Sequence, residues 1–164
     1  MSLDIIPADP EIISRMYQSG QPIVLYQCQL QGNSCGLHVE GTTSAMSAHL
    51  RIFHSIAGQD STSAICTWGD CSKTLKKGSM ARHLLTHLGV KVRCSTCGVV
   101  MCRHDLLRTH IKSSEPCYLA IADAVHGPEG RSFAPIGWAA SQQGYQDPCG
   151  VLLLEEGYTV QIPV

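Results

Sequence analysis

The chain has 164 residues, of which only 5% are aromatic and 15% are charged, so the sequence offers little material for one large hydrophobic core. It contains nine cysteines and eight histidines, and an odd cysteine count without a signal-peptide pattern favours metal ligation over disulfides. No stretch approaches the roughly 18 consecutive apolar residues of a membrane helix, so we expect no membrane partner.

The net charge of −1 is distributed unevenly along the chain. Residues 66–117 carry nine Lys and Arg residues against three Asp and Glu residues, a net charge of +6, so the rest of the chain carries −7. An uneven distribution of this kind says more about binding partners than the total charge does. The basic central region has the sign of charge that nucleic acid requires.

The N-terminal arm, residues 1–25, shows no site. It holds three prolines and little periodicity, which predicts a mostly irregular segment that could contain a short helix around Glu11 to Tyr17.

A pattern of two cysteines, about a dozen residues and two further ligands recurs three times after the arm. We name the repeats the first unit (26–55), the second unit (64–88) and the third unit (92–118). Their ligands are Cys28, Cys35, His49 and His54; Cys66, Cys71, His83 and His87; and Cys94, Cys97, His110 and Cys117. Twelve such ligands make three tetrahedral sets, which predicts three Zn²⁺ ions.

The spacing of the ligands predicts how the first two units fold. Two cysteines separated by a few residues suit a tight turn between short strands. His83 and His87 are four residues apart and therefore lie on one face of a helix. The gap of five from His49 to His54 does not fit a regular helix, so we expect a distorted or tightened last turn there.

The third unit requires a reversal of the chain before its fourth ligand. Pro116 disfavours helix at the residue before it, so the helix should stop near residues 112–113 and the chain should fold back to Cys117. Cys102 is an alternative ligand, because the spacing of Cys97 and Cys102 would also allow both to bind one metal ion. The proline-forced reversal favours Cys117.

Two apolar positions recur in every unit, one four residues after the second cysteine and the other three residues before the first histidine. They are Val39 and Met46, Leu75 and Met80, and Met101 and Leu107. Tyr26 and Val92, each two residues before the first cysteine of a unit, add a third position. This agreement predicts a small core in each unit.

The C-terminal tail, residues 119–164, is acidic and contains many Gly, Pro, Ser and Gln residues. We expect it to be irregular, although its apolar run from Val151 to Val164 could form a strand or dock elsewhere.

These ligand and core patterns resemble the C2H2 zinc-finger family, with the third unit as a C2HC variant. The stretch Cys66-Thr-Trp68-Gly-Asp-Cys71 is similar to Gli-type fingers, in which such a tryptophan packs one finger against its neighbour; Leu30 stands at the equivalent place in the first unit. The order of fingers is loosely similar to uncharacterised fungal zinc-finger proteins. The resemblance implies a small metal-stabilised α+β fold of tandem ββα zinc fingers with irregular N- and C-terminal tails.

The helices of the second and third units display side chains suited to duplex DNA. In DNA-reading fingers, residues just before the helix and at its third and sixth positions contact bases. An arginine such as Arg103 matches the O6 and N7 atoms of guanine. In similar fingers, an acidic residue at the place of Asp105 holds that arginine in position. The predicted contacts are Lys76, Lys77, Ser79, Arg82, Arg103, Asp105 and Thr109. The first unit has Thr42, Ala45 and Ala48 at these positions, and these side chains cannot hold a duplex.

We therefore predict a nuclear, sequence-specific DNA-binding protein, a transcription regulator whose second and third fingers contact double-stranded DNA while the first packs or binds protein. The alternative is a protein–protein interaction module that acts through the first finger or the C-terminal tail. RNA binding lacks an aromatic stacking platform in this sequence. Four protein ligands leave zinc no open coordination position, and the sequence shows no pattern of catalytic residues. We therefore predict no enzyme activity and no small-molecule substrate.

Overall fold

The structure is a computed structural model that describes residues 10–19, 23–32, 34–57, 61–135, 151–154 and 159–161. Within these ranges the chain forms four α-helices, ten short strands and one 3-10 turn. In chain order they are α1 (Pro10–Ser19), β1 (Ile23–Gln27), β2 (His38–Glu40), α2 (Thr43–Phe53), β3 (Ser63–Ile65), β4 (Thr74–Lys76), α3 (Lys77–His87), β5 (Lys91–Cys94), β6 (Val100–Met101), α4 (His104–Ser113), the 3-10 turn (Glu115–Cys117), β7 (Ala122–Val125), β8 (Arg131–Pro135), β9 (Val151–Leu154) and β10 (Thr159–Gln161). None of the described helices has the length and apolar character needed to cross a membrane.

Each of the three units contains an antiparallel strand pair followed by a helix. The pairs are β1–β2, β3–β4 and β5–β6. Their registers place predicted core positions opposite one another: Tyr26 faces Val39 in the first unit and Val92 faces Met101 in the third. The small α+β class predicted from the sequence is therefore confirmed.

The first and second units share one hydrophobic core. Helix α2 packs against α3, and an isolated antiparallel bridge joins Leu30 to Trp68. The buried residues of this shared core are Tyr26, Cys28, Leu30, Val39, Met46, Leu50, Cys66, Trp68, Met80, Ala81, Leu84 and Leu88. Because residues of both units bury against each other, the two units form one packed body rather than two independent ones.

The third unit has a separate, smaller core. Leu107 of α4 is fully buried with Cys94 and Cys117, and Val92 and Met101 pack against them from the strands. The recurring apolar positions of the sequence thus form the interior of this unit also.

Both tails contain more regular structure than the sequence predicts. Helix α1 buries Ile12 and Met16 against Leu25 of β1 and Phe133 of β8. Strands β8, β9 and β10 extend the sheet of the first unit in the order β10-β9-β8-β1-β2. Helix α1 agrees with the short helix expected around Glu11 to Tyr17, and β9 and β10 agree with the strand expected in the apolar run from Val151 to Val164. The irregular structure expected for the rest of the tail is corrected by β7 and β8, whose partners β5 and β1 lie far away in the sequence.

Residues 118–135, which we name the C-terminal strap, connect the third unit to the first. Strand β7 pairs with β5, and β8 then pairs with β1 so that Arg131 lies opposite Leu25. Between these strands the Gly127 N–H donates to the Tyr26 hydroxyl at 2.9 Å. The strap therefore joins the third unit to the body formed by the other two.

Candidate metal centres

The structure brings the twelve predicted ligands together in three groups of four. In each group the possible donor atoms all lie within 4.8 Å of one another. The groups are Cys28, Cys35, His49 and His54; Cys66, Cys71, His83 and His87; and Cys94, Cys97, His110 and Cys117. Each group joins the turn of a strand pair to the helix that follows it, or to the chain just beyond that helix.

The first group has its four donors in close contact. The Cys28 Sγ lies 3.4 Å from the His54 Nε2, and the Cys35 Sγ lies 3.8 Å from the His49 Nε2. The two Nε2 atoms are 3.2 Å apart. Both imidazoles therefore direct the same ring nitrogen toward one point.

The second group repeats this geometry. The Cys66 Sγ is 3.6 Å from the His87 Nε2, the Cys71 Sγ is 3.5 Å from the His83 Nε2, and the two Nε2 atoms are 3.1 Å apart.

In the third group the Cys97 Sγ lies 3.3 Å from the His110 Nε2. Cys117 supplies the fourth donor of this group in place of a second histidine.

These separations fit tetrahedral coordination. Zinc bond lengths of about 2.3 Å to sulfur and about 2.0 Å to nitrogen place tetrahedral donors about 3.5 Å apart for sulfur and nitrogen, and about 3.3 Å apart for two nitrogens. The observed separations are 3.3 to 3.8 Å and 3.1 to 3.2 Å. A shared cation would satisfy the lone pairs of both facing nitrogens, whereas a hydrogen bond between them needs one to be protonated. Each group can therefore hold one metal ion.

The end of α2 explains how a five-residue gap still delivers two histidines. The helix ends at Phe53, and His54 takes a non-helical conformation with φ −121° and ψ 4°. Ser55 then has a positive φ of 54°. The expected distortion of the last turn is confirmed, since the donor atom of His54 comes from the residue just beyond the helix instead of from its face.

The third unit reverses its chain where the sequence predicts. Helix α4 ends at Ser113, Ser114 is extended, and Pro116 lies in the 3-10 turn that ends at Cys117. Cys117 is 1% exposed and belongs to the third group, whereas Cys102 is exposed and lies outside it. The reversal therefore selects Cys117 as the fourth donor.

The cysteine thiols differ in how readily they ionise without a metal. Burial raises the pKa of Cys28 to about 12 and also raises the pKa values of Cys66 and Cys117. A hydrogen bond from the backbone N–H of Cys97 lowers the pKa of Cys94 to about 6. Because a buried thiolate is unfavourable by itself, a nearby cation would promote the ionisation of Cys28, Cys66 and Cys117.

Three of the four histidines in the first two groups are held in the form that binds metal. Burial lowers the pKa values of His54, His83 and His87. A lowered pKa keeps an imidazole neutral near pH 7, so that one ring nitrogen retains a free lone pair.

The predicted DNA-contacting residues of the third unit lie at the start of α4. Arg103 Nε donates to Asp105 Oδ1 at 3.0 Å, and Arg103 Nη2 donates to Asp105 Oδ2. The hydrogen bonds from Arg103 hold the pKa of the Asp105 carboxyl below its usual range. Thr109 donates its hydroxyl to the Asp105 carbonyl at 3.1 Å, which engages it within its own helix.

The predicted contacts of the second unit lie at the start of α3. Lys76 is exposed immediately before the helix, and Arg82 Nη2 donates to Ser79 Oγ at 3.5 Å. Lys77 Nζ donates to the Ala57 carbonyl at 2.9 Å, so this lysine is bound to the segment that connects the first two units.

Two further basic residues lie beside these predicted contacts. Lys91 of β5 and Arg108 of α4 line a cavity of about 430 Å³ together with Arg82 and Arg103. The charge count of residues 66–117 included both, but only the packing of the third unit against the second places them around one cavity.

Comparisons with family profiles, with curated proteins and with solved structures found no match to this chain.

Proposed function

We propose that the three groups bind Zn²⁺ and that the three units are tandem ββα zinc fingers of the C2H2 type, the third with a C2HC ligand set. Cysteine and histidine in a closed tetrahedral set are the ligands that structural zinc prefers. With all four positions taken by protein, each ion stabilises the fold and offers no open site for a substrate. We accordingly infer no enzyme activity.

We further propose that the protein binds double-stranded DNA in the nucleus as a sequence-specific transcription regulator. The observation that carries this proposal is the clustering of Arg82, Lys91, Arg103 and Arg108 around one cavity between the second and third units. Asp105 is the one acidic residue in the wall of this cavity. A concentration of cationic side chains that outnumber carboxylates attracts the phosphate backbone.

The first unit has a packing role in this proposal. Its helix α2 packs against α3, and its core is continuous with that of the second unit. Thr42, at the position where a reading finger carries a base-contacting side chain, caps α2 by accepting a hydrogen bond from the Ala45 N–H at 3.2 Å. The unit therefore supports the second finger without reading bases itself.

Salt-dependent binding of a random duplex pool tests the proposal. We expect the zinc-loaded full chain to bind fluorescent duplex with an affinity that falls steeply as salt rises, because phosphate contacts release counterions. Arg82→Ala should weaken this binding. Arg51→Ala, which removes an exposed cation from α2 in the first unit, should leave it unchanged. An affinity independent of salt, or equal losses in both variants, would refute the proposal.

A protein-interaction module is the second candidate. Three apolar side chains at the start of the strap favour it: Tyr118, Leu119 and Ile121 are 68%, 78% and 68% exposed. Adjacent exposed apolar residues of this kind are typical of interaction surfaces. If the wild-type protein binds no duplex, this candidate replaces the DNA proposal.

A further inference from the structure

The cavity between the second and third units receives residues from five parts of the chain. Arg82 and Leu85 come from α3, residues 90–92 from the connection into β5, and residues 102–105 and Arg108 from the start of α4. The start of α2 and the strap strand β7 complete the wall. The cavity therefore depends on the packed arrangement of all three units and the strap.

Among the residues that the structure describes, two of the four cationic side chains of the cavity have no partner. Arg103 is engaged by Asp105, and Arg82 donates to Ser79. Lys91 and Arg108 make no side-chain hydrogen bond or ion pair with any residue that the structure describes. These two remain available for an anion.

The remaining wall strengthens any charge interaction inside the cavity. Leu85, Val90 and Val92 line it from one side, and Ala122 and Ala124 from the strap. Apolar walls lower the effective dielectric constant, so a cation there attracts an anion more strongly than it would on an open surface.

The size of the cavity limits what can enter it. Its volume of about 430 Å³ is within the range of small-ligand sites, about 300 to 1,000 Å³. A duplex is far wider, since its major groove alone is about 12 Å across. A group that projects from the duplex, such as a backbone phosphate, fits a space of this size beside the exposed Lys91 and Arg108 side chains.

We propose that the cavity receives one backbone phosphate of the bound duplex, held by Lys91 and Arg108. This inference rests on the proposed DNA-binding function. It assigns Lys91 and Arg108 a positioning contact that carries no base information, beside the base-reading role proposed for Arg103. Through the start of α2, the first unit contributes to the wall of a DNA-binding site although it presents no base-reading side chain.

Duplex affinity at several salt concentrations tests this assignment. Lys91→Ala and Arg108→Ala should each weaken all duplexes alike and reduce the slope of log affinity against log salt by about one. The matched control is Lys112→Ala, one turn further along α4, where the side chain is exposed and outside the cavity wall. This control should keep the wild-type slope.

A second pair of variants changes the charge of the cavity without removing a cation. Ala124 is exposed on β7 and lines the cavity. Ala124→Glu should lower duplex affinity strongly, whereas Ala124→Gln, of similar size, should lower it much less. Zinc content and circular dichroism establish that each variant is folded.

The outcomes separate the cavity from the wider function. Salt-dependent duplex binding with unchanged slopes in Lys91→Ala and Arg108→Ala would overturn the cavity assignment and leave DNA binding intact. Absence of duplex binding by the wild-type protein would overturn both. In a parallel titration with inorganic pyrophosphate, shifts of the Lys91 and Arg108 amide signals without any effect of these residues on duplex binding would identify a site for free phosphate compounds and also overturn the assignment.

Discussion

Trp68, between the two cysteines of the second unit, forms an antiparallel backbone bridge with Leu30, which occupies the equivalent place in the first unit. Both side chains are buried, and the Trp68 ring stacks on the ligand His87 with 6.0 Å between centroids and 6° between planes. The packing role that the Gli-type resemblance implies for this tryptophan is thus present in the shared core. The pair links the stability of the first two metal groups.

We therefore expect Trp68→Ala to weaken the first and second units together. Removal of a buried aromatic side chain typically costs about 3 to 5 kcal/mol. Zinc transfer to a chromogenic chelator should be faster for two of three ions, with the third unchanged. Ile65→Ala, in the same unit but 59% exposed, is the control. If only one ion becomes labile, the two units are not coupled.

Removal of the metal should unfold the protein. Structural zinc supplies roughly 10 to 16 kcal/mol per site, more than cores of this size can replace. Elemental analysis should find three zinc ions per chain, and a chelator should abolish the helical circular dichroism signal. A stoichiometry of one, or full helicity without metal, would contradict the three-site interpretation.

Loss of Cys117 should remove one ion, and loss of Cys102 should remove none. The reason is geometric: Cys117 is buried in the third group, whereas Cys102 is exposed before α4 and outside the group. Cys117→Ser should therefore bind two ions by elemental analysis and Cys102→Ser three. The reverse result would show that the chain reversal at Pro116 does not deliver the ligand.

The metal groups could be predicted from the sequence because their information is local. A cysteine pair, a helix spacing such as that of His83 and His87, and a helix-stopping Pro116 each act within about 30 residues, so the pattern specifies the geometry. The end of α4 could likewise be predicted from a local signal, Pro116.

Apart from the Trp68 contact that the Gli-type resemblance implies, the packing between units could not be predicted, because it depends on contacts distant in sequence. Strand β8 pairs with β1 so that Phe133 lies opposite Ile23, and neither segment carries a pattern that identifies its partner. The cavity shared by Lys91 and Arg108 has the same origin, since it exists only where the units and the strap meet.

Gly127 is a position in the strap where a side chain would collide with the backbone. A Cβ there would lie 1.7 Å from the Leu88 carbonyl oxygen and 2.8 Å from its carbon, both backbone atoms. Gly127→Ala should displace the strap and cost about 1 to 3 kcal/mol, as overpacking typically does.

Amide hydrogen exchange should show this displacement as faster exchange in β7 and β8, with α2 and α3 unaffected. Leu119→Ala, a change at a strap residue that is 78% exposed, should show wild-type exchange. Wild-type protection in Gly127→Ala would mean that the strap does not pack against Leu88 as described.

Substitutions of Arg103 and Asp105 should affect base preference and duplex affinity to different extents. Arg103→Ala removes the proposed bidentate guanine contact and the charge, so it should cost about 1 to 3 kcal/mol on the preferred duplex and relax one base position. Asp105→Asn removes the carboxylate that orients Arg103 but keeps the cation. It should therefore relax the same position while affinity for unrelated duplexes stays equal or rises, because a negative charge near the phosphates is lost.

Since both changes act on one contact, the double variant should show the base preference of Arg103→Ala alone. Competition anisotropy with duplexes substituted at each position measures all three variants. Full preference in Asp105→Asn would show that the pairing with Asp105 does not position Arg103 for base contact.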